Sequence, residues 1–295
     1  MRSKSPLLPY LAILIAALFW GSSFAAMKVT IAALGSWSVM WFRMATALLV
    51  ILPFARKLWP RDYRQGDWRL LISFVAFQPC LYFALESNAL RFTTSSQAGL
   101  IAASVPLVVA LGAHVFLHEK VSKATVAGLF ISLAGVIWLT LAGSPSETAV
   151  DPLLGNTLEF GAMMSAVGYV LLVKKLTERY DPWTLTLMQI GAGFLFFSPG
   201  ARFFISGGFQ AMTTVQLLTL LYLGAGVTLG AFGLYNAGIR SIPANKATAL
   251  VNLVPVIAVI LGWGLRDEIL NRSQIVAALC VLAGVWLSQR RSGET

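Results

Sequence analysis

Acidic side chains are scarce in this sequence: 12 Asp and Glu stand against 22 Lys and Arg in 295 residues. Histidine and cysteine are rarer still, with two of each. Cys80 and Cys280 fall in separate apolar stretches without ligand-like spacing, so neither a disulfide framework nor a zinc site is expected. His114 and His118 are four apart and Glu119 follows, but no further ligand set accompanies them, and no metal site is read there. An integral-membrane enzyme would need a nucleophile, a base or metal ligands in one cluster, and scattered carboxylates do not make one. A pore would need a filter of repeated carbonyl or charged rings, and none is visible. No Gly-x-x-x-x-Gly-Lys-Ser/Thr run occurs, so primary active transport by this chain alone is not expected, and neither a cofactor nor an ATPase subunit is implied. Long polar stretches are missing as well, which leaves no room for a soluble catalytic or nucleotide-binding domain.

What fills the chain is apolar: 57% of residues are hydrophobic and the mean hydropathy is +0.76. Ten segments of roughly 17–23 residues are each long enough to cross ~30 Å of hydrocarbon. They fall at 8–27, 36–54, 68–87, 97–116, 123–142, 153–173, 183–199, 215–236, 246–265 and 273–289. Unbroken runs rather than alternation make them helices, which satisfy their own backbone groups in lipid. Arg2 and Lys4 before an apolar run resemble a signal peptide, but the run is too long for one and is expected to be a retained first helix. With the N-terminus inside and ten crossings, 16 basic residues lie inside and 5 outside. That asymmetry is the positive-inside pattern and places both termini in the cytoplasm. The net charge of +10 therefore speaks of topology and phospholipid headgroups, not of nucleic acid.

The chain is also written twice. Leu282-Ala283-Gly284-Val285 repeats Leu133-Ala134-Gly135-Val136, and at the same offset Glu268 matches Glu119, Pro255 matches Pro106 and Arg240 matches Arg91. Earlier in each half Trp183 answers Trp37 and Lys174 answers Lys28. Five spans per half is an odd number, so the second copy enters the bilayer upside down, as in secondary transporters. The expected fold is an all-α integral membrane protein of ten transmembrane helices in two inverted-topology repeats, 1–142 and 153–295. A polar, turn-rich periplasmic linker, 143–152, joins them.

Within the spans a few residues could carry transport. Pro106 and Pro255 occupy equivalent mid-helix positions and remove the bonds to the carbonyls of Ala102 and Val251. Those carbonyls could face each other and hold a substrate ammonium group, or serine or water could repair a mere kink. Gln78 and Tyr82 share one face of the third helix, with Pro79 loosening it between them. Asn252 stands beside the Pro255 break, Trp20 and Tyr169 lie at similar depths in the first helix of each half, and Tyr235 lies toward the inner end of the eighth. Together they suit an aromatic-walled cavity for neutral amphiphiles, though each could be ordinary interhelical packing. Gly226 and Gly230 form a Gly-x-x-x-Gly pair, read as a packing seam or a hinge. Glu86 and Glu159 lie near outer helix ends and read as solvated, with proton or substrate coupling the alternative. Glu119 and Glu268 precede the fifth and tenth helices and read as structural acids at their N-termini.

Trp20-Gly21-Ser22-Ser23-Phe24, Arg43, Tyr82-Phe83-Ala84-Leu85, Pro106, Glu119 and Leu133-Ala134-Gly135-Val136 together resemble the drug/metabolite transporter superfamily, and more closely its EamA-type ten-helix exporters. The resemblance covers essentially the whole chain, and the overall pattern is similar to that of bacterial inner-membrane amino-acid exporters. It implies a multi-pass inner-membrane protein acting as a monomer, with alternating access around a midplane cavity. Neutral and aromatic amino acids are the expected cargo, with drugs or other metabolites the alternative. Arg43 belongs to the family pattern across unlike substrates, which favours a structural role, capping a helix end or snorkelling outward, over clamping a carboxylate. One departure matters: the short proton-coupled exporters of the superfamily are similar in using an acid in the middle of the first helix, and 8–27 here contains none. Facilitated diffusion is therefore expected ahead of proton antiport.

Overall fold

The computed structural model describes residues 7–58, 63–117, 121–210, 212–242, 247 and 250–289. Among them every regular element is helical, and one isolated bridge, between Ser146 and Ala149, lies in the connection between the halves. In chain order the principal helices are α1 (Leu8–Leu34), α2 (Ser36–Ile51), α3 (Asp67–Phe92), α4 (Ser95–Ala102), α5 (Val105–Leu117) and α6 (Lys123–Leu141). The second half follows with α7 (Pro152–Leu176), α8 (Pro182–Phe196), α9 (Thr214–Ile239), α10 (Leu253–Arg266) and α11 (Arg272–Gln289). Among the described residues seven stretches are long and apolar enough to cross a membrane; α10 and α11 are apolar but shorter. Local sequence sets the starts. Thr94, Ser122, Asp151 and Asp181 each accept a backbone N–H of the helix they precede, and Pro152 and Pro182 supply a first residue that needs no donor. Thr213 and Gln216 close a reciprocal capping box on α9, and Gly35, at φ 77°, turns the chain between α1 and α2.

Polarity is turned inside out relative to a water-soluble fold. Leu49, Leu195 and Ile205 stand 71%, 71% and 82% exposed, while Arg43, Glu159 and Asn236 are buried. An apolar perimeter around polar interior groups is what lipid requires.

The repeated Leu-Ala-Gly-Val segments meet. A methyl at Gly135 would sit 2.7 Å from the Val281 nitrogen, and one at Gly284 2.4 Å from the Gly128 oxygen, so only glycine lets these backbones touch. Thr125 Oγ1 donates to the Ser288 carbonyl at one end of this pair and Trp138 Nε1 to Ser273 Oγ (2.9 Å) at the other, so α6 and α11 run antiparallel. Several of the remaining contacts are returned when the halves are exchanged. α1 packs on α9 and α10, and its counterpart α7 packs on α3 and on the α4–α5 pair; α2 packs on α9 and α8 on α3, with α2 and α8 also meeting each other.

Candidate functional site: an aromatic cavity between the halves

Four helix interruptions converge at the centre. α3 breaks at Gln78 (φ −147°, ψ 120°), where the peptide to Pro79 is cis. The α4–α5 line breaks at Ala103–Ser104, one turn before Pro106 would have sought the Ala102 carbonyl. α9 widens to π-helical turns over Tyr222–Ala231, and Asn252 interrupts the approach to α10.

These interruptions surround a cavity with about 830 Å³ of atom-free space, its open mouth included. Trp20, Gln78, Tyr82, Ala102, Tyr169, Tyr235 and Val251 all line it, contributed by both halves. Asn252 does not; its buried Oδ1 is left without a partner one residue beyond Val251. Seven of the 21 lining residues carry aromatic rings, and these pack together: Trp20 lies 5.0 Å from Tyr235 and 5.5 Å from Phe232 between centroids, and Phe83 meets Phe232 edge-on at 5.8 Å. Tyr169 is held by its hydroxyl, which donates to Asn236 Oδ1 (2.7 Å), and Asn236 in turn donates to Thr186 Oγ1 (2.9 Å).

The sequence profile of the EamA-like transporter family matches residues 7–141 and again 153–289. This chain belongs to that family. Among relatives of the EamA-like transporter is an uncharacterized transporter of Bacillus subtilis, YetK, 26% identical over 254 residues that cover 84% of this chain and 76% of YetK. Another, from Streptantibioticus cattleyicolor, is named a probable terminal-alkyne amino-acid exporter; it is 23% identical over 95% of this chain and 93% of its own length. A protein known from its crystal structure shares the fold over 100% of both chains, with a TM-score of 0.63 at 18% identity. The family and these named relatives are transporters, not enzymes, and the chain is a multi-pass membrane protein.

In this EamA-like transporter the charged groups stand elsewhere than expected. Arg43 neither snorkels nor caps a helix end: it is 1% exposed, lines the cavity, donates through Nε to Thr228 Oγ1 (3.1 Å) and lies 4.7 Å from the Phe83 ring centre. Glu86, expected to be solvated, is buried in the cavity wall and accepts from the Tyr82 hydroxyl at 2.6 Å. Glu159, expected likewise, is wholly buried, because α3 lies along α7 at that height. Glu268 is structural, but for a different helix than the one it precedes. It accepts Ser95 N and Ser96 N, each at 2.9 Å, and both serine hydroxyls at 2.8 Å, so it closes the N-terminus of α4. Its repeat mate Glu119 and the neighbouring His118 lie outside the described residues.

Gly226 and Gly230 do not join two backbones: both face the Phe19 ring of α1, and the tighter approaches in α9 are Gly224 on Thr46 and Gly233 on Trp183. At the start of α3, Asp67 Oδ2 accepts the Tyr180 hydroxyl (2.6 Å), the Arg64 N–H (3.1 Å) and the Arg179 guanidinium. Asp67 raises the pKa of Arg179, and burial, then the bond to Asp67, pushes that of Tyr180 up. Among the described residues no three His, Cys, Asp or Glu side chains are grouped to hold a metal.

Proposed function

We propose that this transporter exports small amphipathic metabolites, neutral and aromatic amino acids foremost, from the cytoplasm across the inner membrane of a bacterium. The observation that carries the reading is the cavity itself: an aromatic wall to take an apolar side chain, with Arg43 and Glu86 set into the same wall to take a carboxylate and an ammonium group. The carbonyl-bearing breaks at Ala102 and Val251 add acceptors for the ammonium group. The name of the S. cattleyicolor relative supports the amino-acid class.

On this reading the chain crosses the membrane ten times, both termini are cytoplasmic, and the halves 1–142 and 153–295 are inverted copies joined by a periplasmic linker. The antiparallel run of α6 along its mate α11 supports the inversion, and the basic residues support the orientation. A monomer suffices, because both cavity walls come from one chain. Rocking of the halves, hinged at Pro79, Pro106, the Gly226–Gly230 turns and Pro255, would open the cavity to each side in turn.

Reconstitution of the purified chain in liposomes with a panel of radiolabelled amino acids tests this. Saturable exchange of phenylalanine, tyrosine, leucine or methionine is the expected result. Absence of flux for every amino acid, with saturable flux of drugs or other metabolites, would replace the substrate class and leave the fold and family as they are.

A further inference from the structure

We propose that Glu159 on α7, with Glu86 on α3 beside it, is the group that carries a proton through this transporter; the coupling rests on the export reading above, the proton site itself does not. Glu159 is 0% exposed, and neither of its carboxylate oxygens has a hydrogen-bond partner. A charged carboxylate with no donor and no counter-ion in an apolar surrounding is among the costliest groups a fold can hold, whereas its neutral acid form is cheap. An ionisable residue in a membrane interior is a functional-site candidate by default, and proton relays are among the roles such residues serve.

The groups that face it are few. From α3 come Tyr82 and Glu86, both within electrostatic reach of Glu159 and joined to each other by the 2.6 Å bond. From α2, Arg43 acts on Glu86. On α1, Lys28 is already committed to the carbonyls of Leu90 and Thr93. α4 brings only Gln97. On α5 His114 lies beyond Gly112, which faces Val167 and Leu171, two turns further along α7. On α6 the one charged residue, Lys123, is at the far end from the Gly143–Pro152 turn. Among the described residues no cation therefore neutralises Glu159 directly, and the charge that acts on it is another carboxylate, Glu86.

A route and a coupling rule follow from the same neighbours. One turn before Glu159, Asn156 donates to Gln97 Oε1 (2.8 Å) and accepts from Thr93 Oγ1 (2.6 Å), forming a buried polar chain toward the linker, whose Asp151 N–H bonds the Phe92 carbonyl. One turn after it, Met163 lines the cavity. A proton enters from the linker side, forms an O–H bond on a Glu159 oxygen, and leaves when that bond breaks to water on the other side; nothing is oxidised or reduced. Two carboxylates this close hold one compensating positive charge comfortably. Either the proton or a substrate ammonium group at Glu86 fills that place, so the two exchange: substrate out, proton in. This reverses the expectation drawn from the missing acid in the first helix, since the carboxylates stand on the third and sixth membrane segments instead.

Two measurements on the full chain decide it. Infrared difference spectra across a pH titration of the wild type in nanodiscs should show a protonated carboxyl stretch that disappears in Glu159→Gln and shifts in Glu86→Gln. A band unchanged by Glu159→Gln, or no band, would overturn the proposal; if the glutamine variant does not fold, Glu159→Asp should shift the band, and an unmoved band would overturn the proposal equally. In liposomes loaded with L-phenylalanine and a pH-sensitive dye, outward phenylalanine flow should acidify the lumen of wild-type vesicles, with that acidification lost in Glu159→Gln. Phenylalanine exchange without any wild-type acidification sinks the proton coupling and keeps the amino-acid reading. An infrared band that obeys the substitutions, without phenylalanine exchange, keeps the proton site and sinks the amino-acid reading.

Discussion

Lys28 Nζ donates to the Leu90 carbonyl at 2.7 Å, at the C-terminal end of α3, and to the Thr93 carbonyl at the same distance. Its repeat mate Lys174 donates to the carbonyl of Ile239, the mate of Leu90, at 3.2 Å. A lysine is the natural closure for a helix C-terminus, where orphan carbonyls and the macrodipole both favour a cation. The repeat is thus expressed in hydrogen bonds as well as in helix order.

Replacing Lys28 with Met removes the donor and leaves two buried carbonyls open, a cost of about 1–3 kcal/mol. Thermal unfolding in detergent should show the drop. Lys174→Met, whose lysine is only half-buried and has one such bond, should cost less.

Gly135→Ala should destabilise the α6–α11 contact by about 1–3 kcal/mol, because the added methyl meets backbone that cannot yield. Gly191→Ala is the control. Nothing lies within 4 Å of its added methyl, so helix propensity alone acts and stability should rise by about 0.5–1 kcal/mol. Equal melting of the two variants would contradict the packing argument.

Glu268→Ala strips the α4 N-terminus of an acceptor serving four donors and should cost roughly 3 kcal/mol or more. Glu268→Gln, which keeps one acceptor oxygen, should recover part of that. Protease sensitivity around 93–96 in detergent would report the loosened helix start.

In the transport assay, Trp20→Ala and Tyr235→Ala should each raise the KM for L-phenylalanine about two- to tenfold, the value of one aromatic contact at about 0.5–1.5 kcal/mol. Tyr235→Phe keeps the ring and should stay near wild type. A fall in kcat at constant KM would move these rings from binding to conformational change.

The cavity lining was legible because polar and aromatic residues are out of place in an apolar run, and Gln78 and Tyr82 around Pro79, and Tyr169 on α7, announce themselves that way. Depth was harder to read. Estimating the third span as ending at 87 put Glu86 at a surface, whereas α3 runs to Phe92 and carries it inward. Partners distant in the chain leave no local trace: nothing near Glu268 in sequence points to serines 173 residues away. Arg43 was visible as a costly charge, but its sulfur and aromatic surroundings, Met27 at 2.9 Å and Phe83, come only from the packing.

Among the described residues the cluster at Asp67 has no twin. At the matching start of α9, Thr213 and Gln216 bond only within their own turn, while Asp67 reaches across to Arg179 and Tyr180 in the other half. A device made of two interchangeable halves would have no reason to rest with one face shut rather than the other. If the halves rock as proposed, a clasp fitted at one face alone would give the protein a resting posture, and the strength of that clasp, tunable at a single aspartate, would set which side of the membrane the empty protein greets first.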